Sequence, residues 1–155
     1  MIDLPTLLYW LFQTAVAFVS TIAFAIIFHT PQKEYLCCGI TGGIGWLVYL
    51  VCTDFGIDVV TASFFATVAL AWFSRFFAFL RKAPVTVFLI TGIFPLVPGA
   101  GIYYTGYHLF MSDNTQALFK GLETIKIAVA IALGIGIVLS LPACLFSFHR
   151  SKRHP

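Results

Sequence analysis

Apolar positions along this chain follow neither the two-residue alternation of a strand nor the single stripe of a soluble helix. They come in long blocks over residues 4–28, 35–52, 59–80, 85–110 and 125–148. Each block approaches or exceeds the ~20 residues that an α-helix needs to cross about 30 Å of hydrocarbon. The separators are polar and turn-forming: His29-Thr30-Pro31 with Gln32-Lys33-Glu34, then Thr53-Asp54-Phe55-Gly56-Ile57-Asp58, Arg81-Lys82-Ala83-Pro84, and residues 111–115. The pattern predicts an all-α, polytopic membrane bundle of about five transmembrane helices, forming a single membrane domain over 1–155 with a basic tail at 149–155. Pro5 suits the first turn of the first span, whose length and lack of a basic start mark it as retained rather than as a cleavable signal.

Two blocks depart from a plain lipid-facing run. In 35–52, Gly39, Gly42, Gly43 and Gly45 interrupt the apolar residues. Two readings fit: a small-residue face that packs another helix closely, or a second broken segment. In 91–104, two prolines and three glycines interrupt the fourth block: Pro95, Pro98, Gly92, Gly99 and Gly101. Proline removes a backbone donor and clashes with the preceding turn, and glycine loosens the chain, so the pattern predicts a broken fourth span. In hydrocarbon the freed backbone groups need protein or a water-filled cavity to receive them, so the break is expected to line a path.

Composition removes most other classes. Apolar residues make up 60% of the chain, charged residues 10%, and mean hydropathy is +0.97, against roughly 45–50% apolar for a soluble domain. No room is left for a soluble catalytic domain, and a net charge of +3 is too small to argue for nucleic acid. The four cysteines, Cys37, Cys38, Cys52 and Cys144, lie in apolar sequence with no disulfide or metal-ligand framework, and read as small buried hydrophobes. No paired carboxylates, Ser-His-Asp set or phosphate-cradling glycine loop is legible, so neither an enzyme nor a cofactor is expected.

The charges set an orientation. Five spans place Lys33, Arg81, Lys82, Arg150, Lys152 and Arg153 on one side, and Asp54, Asp58, Asp113 and Lys120 on the other. The positive-inside rule then predicts a cytoplasmic carboxyl terminus and an external amino terminus. Arg75 lies about six residues, or ~9 Å, from its span end, and is expected to snorkel to the interface. Glu123 and Lys126 have the i,i+3 spacing of a solvated pair at the start of the last span.

Side chains that suit a solute path cluster on the fourth block: Thr91, Pro95, Pro98, Gly99, Gly101, Tyr103, Tyr104 and His108. His108 has the chemistry to titrate in a proton-coupled cycle, and equally the position of an interfacial histidine. Tyr103, Tyr104 and Tyr107 read either as solute hydrogen-bonders or as belt aromatics. Thr61, Ser63 and Thr67 are hydroxyls inside a span, where most such groups bond back to their own helix.

Several of these stretches, taken together and in order, resemble one family. Ala23-Phe24-Ala25-Ile26-Ile27-Phe28-His29-Thr30-Pro31, Gly39-Ile40-Thr41-Gly42-Gly43-Ile44-Gly45-Trp46, Ser74-Arg75 before Pro84, and Phe94-Pro95-Leu96-Val97-Pro98-Gly99 look like the threonine/serine exporter family. The chain is most similar to the small, carboxyl-terminal-type subunit of its split two-component form. The resemblance implies export of a small polar metabolite, either threonine/serine-type amino acids or a small dicarboxylate such as succinate. It also implies drive from the proton-motive force, a location in the cytoplasmic membrane, and a larger membrane partner subunit, with homo-oligomerisation left open. A non-transporting assembly subunit is the competing reading. Asp54, Asp58 and His108 match no motif of the family.

Overall fold

The computed structural model describes residues 4–142; the basic tail, Cys144 and the far end of the last apolar block lie outside them. Among the described residues there are six α-helices: α1 (Leu4–Ile27), α2 (Tyr35–Asp54), α3 (Val59–Arg81), α4 (Val85–Ile93), α5 (Gly99–Phe110) and α6 (Asn114–Ser140). Short 3-10 turns at Gln32–Glu34 and Phe94–Leu96 lead into α2 and follow α4. The described chain is all-helical, and α1, α3, α6 and α2 with its leading turn are each long and apolar enough to cross a membrane. The α4–α5 pair, bent by 50°, supplies a fifth span when counted as one.

Local chemistry explains where the helices stop and start. The Asp58 carboxylate accepts the Val60 N–H at 3.1 Å and caps α3, and Asp113 accepts the Gln116 N–H at 3.2 Å and caps α6. The first three helices and α5 end on a residue in the left-handed region, at His29, Gly56, Lys82 and Ser112. Each of those ends closes with a bond back to the carbonyl five residues earlier, as in Thr30 N–H to Ala25 and Asp113 N–H to His108. Asp58 and Asp113 thus start helices, and they sit exposed with Asp54 between the apolar runs.

The last helix differs from its sequence-predicted span of 125–148. It begins at Asn114 and ends at Ser140, where Leu141 turns extended ahead of Pro142. At 27 residues it is about 40 Å long, more than the hydrocarbon thickness. Its first half pairs with α5, where a Cβ on Gly101 would collide with Thr124 Oγ1; its second half pairs with α3, where Gly134 approaches Thr67 and the Phe64 carbonyl. Glu123 pairs with Lys120 at 2.9 Å rather than with Lys126. The Arg75 guanidinium donates to the Val138 and Leu141 carbonyls and caps the end of α6.

The core lies between α2, α3, α4 and α6. Leu70, Ala71, Leu89, Leu96, Ile131 and Val138 form its main cluster, and Ala25, Cys38, Ala78 and Phe88 a second one towards the Lys33/Arg81 end. Small residues make this close packing possible. A Cβ on Gly42 would meet Thr21 Oγ1 of α1, and one on Gly39 would lie 2.7 Å from the Phe18 ring. Gly43 has more room, with Thr14 Cγ2 at 3.6 Å. The 35–52 block is one unbroken helix; Gly39, Gly42 and Gly43 face α1, and Gly45 faces Leu70 of α3. Buried hydroxyls bond to their own helices: Thr21 to Ala17 O, Thr41 to Cys37 O, Thr67 to Ser63 O and Ser74 to Leu70 O, all at 2.7–2.8 Å.

Candidate functional site

Residues 94–98 hold the fourth span open. Pro95 and Pro98 cannot donate, so the helix tightens into a 3-10 turn and then leaves helical geometry at Val97, extended at φ −61° and ψ 129° as a residue before proline prefers. Phe94 anchors the turn to α1, its ring 4.1 Å from Phe24 and 5.3 Å from Phe28, centroid to centroid. The α5 helix restarts at Gly99 after Pro98, without a side-chain cap. The amides of Ala100 and Gly101 are among those that a first helical turn leaves without an intrahelical partner.

The break faces a cavity of about 220 Å³ lined by Trp46, Tyr49, Val59, Ser63, Pro95–Ala100 and Ile127. Drug-sized sites begin at about 300 Å³, so this volume suits a metabolite of few heavy atoms. A smaller cavity of about 160 Å³ lies on the other side of Trp46 and Pro95, bounded by Gln13, Val16, Ala17 and Ser20. Trp46 Nε1 is buried without a hydrogen-bond partner, as is Thr14 Oγ1 on α1. A buried polar group left unpaired costs about 1–3 kcal/mol, so the indole N–H is a donor in want of an acceptor at the wall between the two spaces.

Sequence-predicted site residues fall into three groups. Pro95, Pro98 and Gly99 line the break cavity. Thr91 sits one turn earlier and borders a different cleft of about 340 Å³, formed with Phe28–Pro31, Thr86, Val87 and Ile90; its hydroxyl bonds to the Val87 carbonyl at 2.8 Å. Gly101 faces α6, and Tyr103 and Tyr104 lie on the exposed side of α5, where Tyr103 stacks on Tyr107 with centroids 6.4 Å apart. His108 is at the far end of α5, its Nδ1 3.9 Å from Asp113 Oδ2.

Two features were missed in the sequence. Trp46 and Tyr49, with rings 5.2 Å apart, read there as ordinary apolar residues; the signal available was a polar-tipped aromatic pair one turn apart beside a glycine run. Glu34, read as part of a solvated turn, is 1% exposed and paired with Arg81 at 2.9 Å.

A broken apolar helix thus borders a small, half-open cavity, and comparison with known proteins gives the chain a family. The model of the family described as "Threonine/Serine exporter, ThrE" matches residues 13–141. The chain belongs to the threonine/serine exporter family. That match runs from the middle of α1 to the end of α6 and includes the break and its cavity. A probable threonine/serine exporter of Mycobacterium tuberculosis is 27% identical over 124 residues, covering 79% of this chain and 23% of that protein. An uncharacterized protein of Haemophilus influenzae is 27% identical over 143 residues, covering 88% of this chain and 47% of its own. The chain therefore spans less than half the length of either relative. No solved structure matches it. Family and apolar helices together make this a multi-pass membrane protein of a transporter family, not of an enzyme family.

Proposed function

We propose that the chain is one subunit of an exporter of small polar metabolites, threonine/serine-type amino acids or a small dicarboxylate such as succinate. It works in the cytoplasmic membrane with a larger membrane partner and is driven by the proton-motive force. The observation that carries this reading is the cavity at the break, which a span serving only as a lipid anchor does not need. Solute enters beside Pro95–Ala100, where the Trp46 N–H and the opening amides of α5 replace the water around its carboxylate, as half-helix amino termini do for anionic groups. Movement of α5, which buries none of its residues, against the other helices then exposes the cavity to one side and then the other. The amino terminus faces outward and the Lys33/Arg81 end faces the cytoplasm, in keeping with the distribution of basic residues.

The matched regions make up 47% and 23% of the two relatives, which is compatible with a larger partner. The competing assembly-only role draws on α5, which buries none of its residues and packs mainly on α6. A break that opens on a cavity rather than being packed shut favours transport. The test is accumulation of labelled threonine, serine and succinate in cells lacking this chain, with and without the partner. Restoring the chain should lower intracellular solute only when the partner is present, and Trp46→Phe, which removes the donor and keeps the ring, should weaken that effect. Equal accumulation with and without this chain would contradict the exporter reading.

A further inference from the structure

Three spaces lie end to end along the seam between α1 and the fourth span. The first is the cleft of about 340 Å³ that Phe28–Pro31 form with Thr86, Val87, Ile90 and Thr91 of α4. The second, about 160 Å³, lies between Gln13, Val16, Ala17 and Ser20 of α1 on one side and Trp46 and Pro95 on the other. The third is the break cavity of about 220 Å³, which shares Trp46 and Pro95 with the second. Both segments give one order: Ser20, Phe24, Phe28 along the first span, and Pro95, Phe94, Thr91 back along the fourth. Phe24 and Phe94 therefore stand where the first two spaces meet. Their rings stack with centroids 4.1 Å apart and planes at 21°, and Phe28 closes on Phe94 at 5.3 Å.

The placement of the three rings suits movement. Phe24 sits inside α1, whereas Phe28 follows its last residue, Ile27, and Phe94 follows the last residue of α4, Ile93, just ahead of Pro95. Residues at the ends of elements absorb backbone rotation without breaking a helix. Phe28 is 46% exposed and has room to turn, and neither core cluster takes in any of the three rings. The spaces they divide are lined in part by polar groups. Thr30, Thr86 and Thr91 bring hydroxyls and His29 an imidazole to the cleft, Gln13 and Ser20 border the second space, and the unpartnered Trp46 N–H stands at the wall to the third. Polar side chains at membrane depth usually face protein or a water-filled cavity rather than lipid.

We propose that the Phe28–Thr91 cleft is a second solute site, the vestibule through which the small polar metabolite reaches the break cavity, and that the rings of Phe24, Phe28 and Phe94 close the passage between them. The inference rests on the exporter reading and adds to it a binding site and a gate. With the rings stacked, solute in the cleft is held among the threonine hydroxyls and goes no further. When Phe28 and Phe94 turn away from Phe24, the cleft opens into the space beside Ser20, and Trp46 and Pro95 alone separate that space from the break cavity. Thr91, which lies away from the break, thereby takes a place on the same path.

Two measurements on the full chain with its partner in vesicles test it. A membrane-impermeant methanethiosulfonate labels only thiols that water reaches, and peptide mass identifies the labelled residue. Applied from the side that labels Thr86→Cys in the cleft, it should label Ser20→Cys slowly, and several-fold faster when Phe94→Ala is added, with the Thr86→Cys rate unchanged. Phe28→Ala, at the most exposed ring, should act in the same direction and carries the test should Phe94→Ala fail to insert. Ser20→Cys left unlabelled throughout, or labelled at one rate whatever the rings, would overturn the proposal and make the cluster a helix-packing contact. In the second measurement, Phe94→Ala should let labelled threonine, serine or succinate run down its own gradient several-fold faster than wild type, with no proton gradient imposed. A rate equal to wild type would overturn solute passage through the cluster. Ring-dependent labelling in a wild type that moves none of the solutes would instead overturn the exporter reading and leave a path for water alone.

Discussion

Individual residues settle what the glycines and turn positions do, and the two glycines at the start of α5 separate cleanly. Gly101 packs on Thr124, while a Cβ on Gly99 would meet nothing within 4 Å. Gly101 is therefore a packing residue, and Gly99 borders space. The same test shows Gly42 to be closed by Thr21. Gly42→Val should lower the melting temperature of the detergent-solubilised protein, in line with the roughly 1–3 kcal/mol or more that overpacking costs. Ser112 occupies the left-handed region at φ 59° between α5 and α6, a conformation that costs a non-glycine residue about 1 kcal/mol. Ser112→Gly should raise the same melting temperature slightly; a fall would mean that the serine side chain holds the turn. Glu34 carries a different lesson at this scale. Gln-Lys-Glu beside a proline has the local signature of a solvated turn, and its burial depends on Arg81, 47 positions away, a separation that no local pattern encodes.

At the scale of elements, the break was legible and its surroundings were not. Proline and glycine act on their own backbone, so Pro95, Pro98 and their neighbours announce a broken span wherever it packs. The cavity needs Trp46 and Tyr49 from α2, Ser63 from α3 and Ile127 from α6, and a sequence read element by element cannot bring them together. The start of α6 was lost for a related reason: apolar content marks where a helix can sit in lipid, whereas the Asp113 cap marks where the helix begins. Its end is held by Arg75, through carbonyls 63 and 66 residues on that no local pattern announces. Hydrogen bonds to a charged group are worth roughly 1.5–3 kcal/mol. Arg75→Met should therefore destabilise the chain in detergent while leaving the amount inserted in membranes near normal. For the break itself, Pro98→Ala restores a backbone donor and should straighten the 50° bend. Spin labels at the exposed positions Ile90 and Tyr107 should then move further apart, and an unchanged distance would assign the bend to packing by Phe94 on α1.

For the whole molecule, the bent α4–α5 pair makes a fifth span when counted as one, and the proposed topology has it carry the chain from the Arg81-Lys82 turn to the Asp113 turn. Helices α1–α4 and the second half of α6 are knit by small residues and back-bonded hydroxyls, while α5 packs on the first half of α6 and buries nothing of its own. That division supplies one body to hold the site and one to move or to meet a partner, and the family match covers both. The central claim is that solute passes through the cavity at Pro95–Ala100, and Gly99 offers the most direct test because the cavity can be filled there without a clash at the Cβ. Efflux of labelled threonine, serine and succinate should be measured in cells carrying the partner with either the wild-type chain or Gly99→Leu, at matched amounts in the membrane. The account predicts that Gly99→Leu inserts normally and loses efflux; efflux equal to wild type would place the path elsewhere and contradict it.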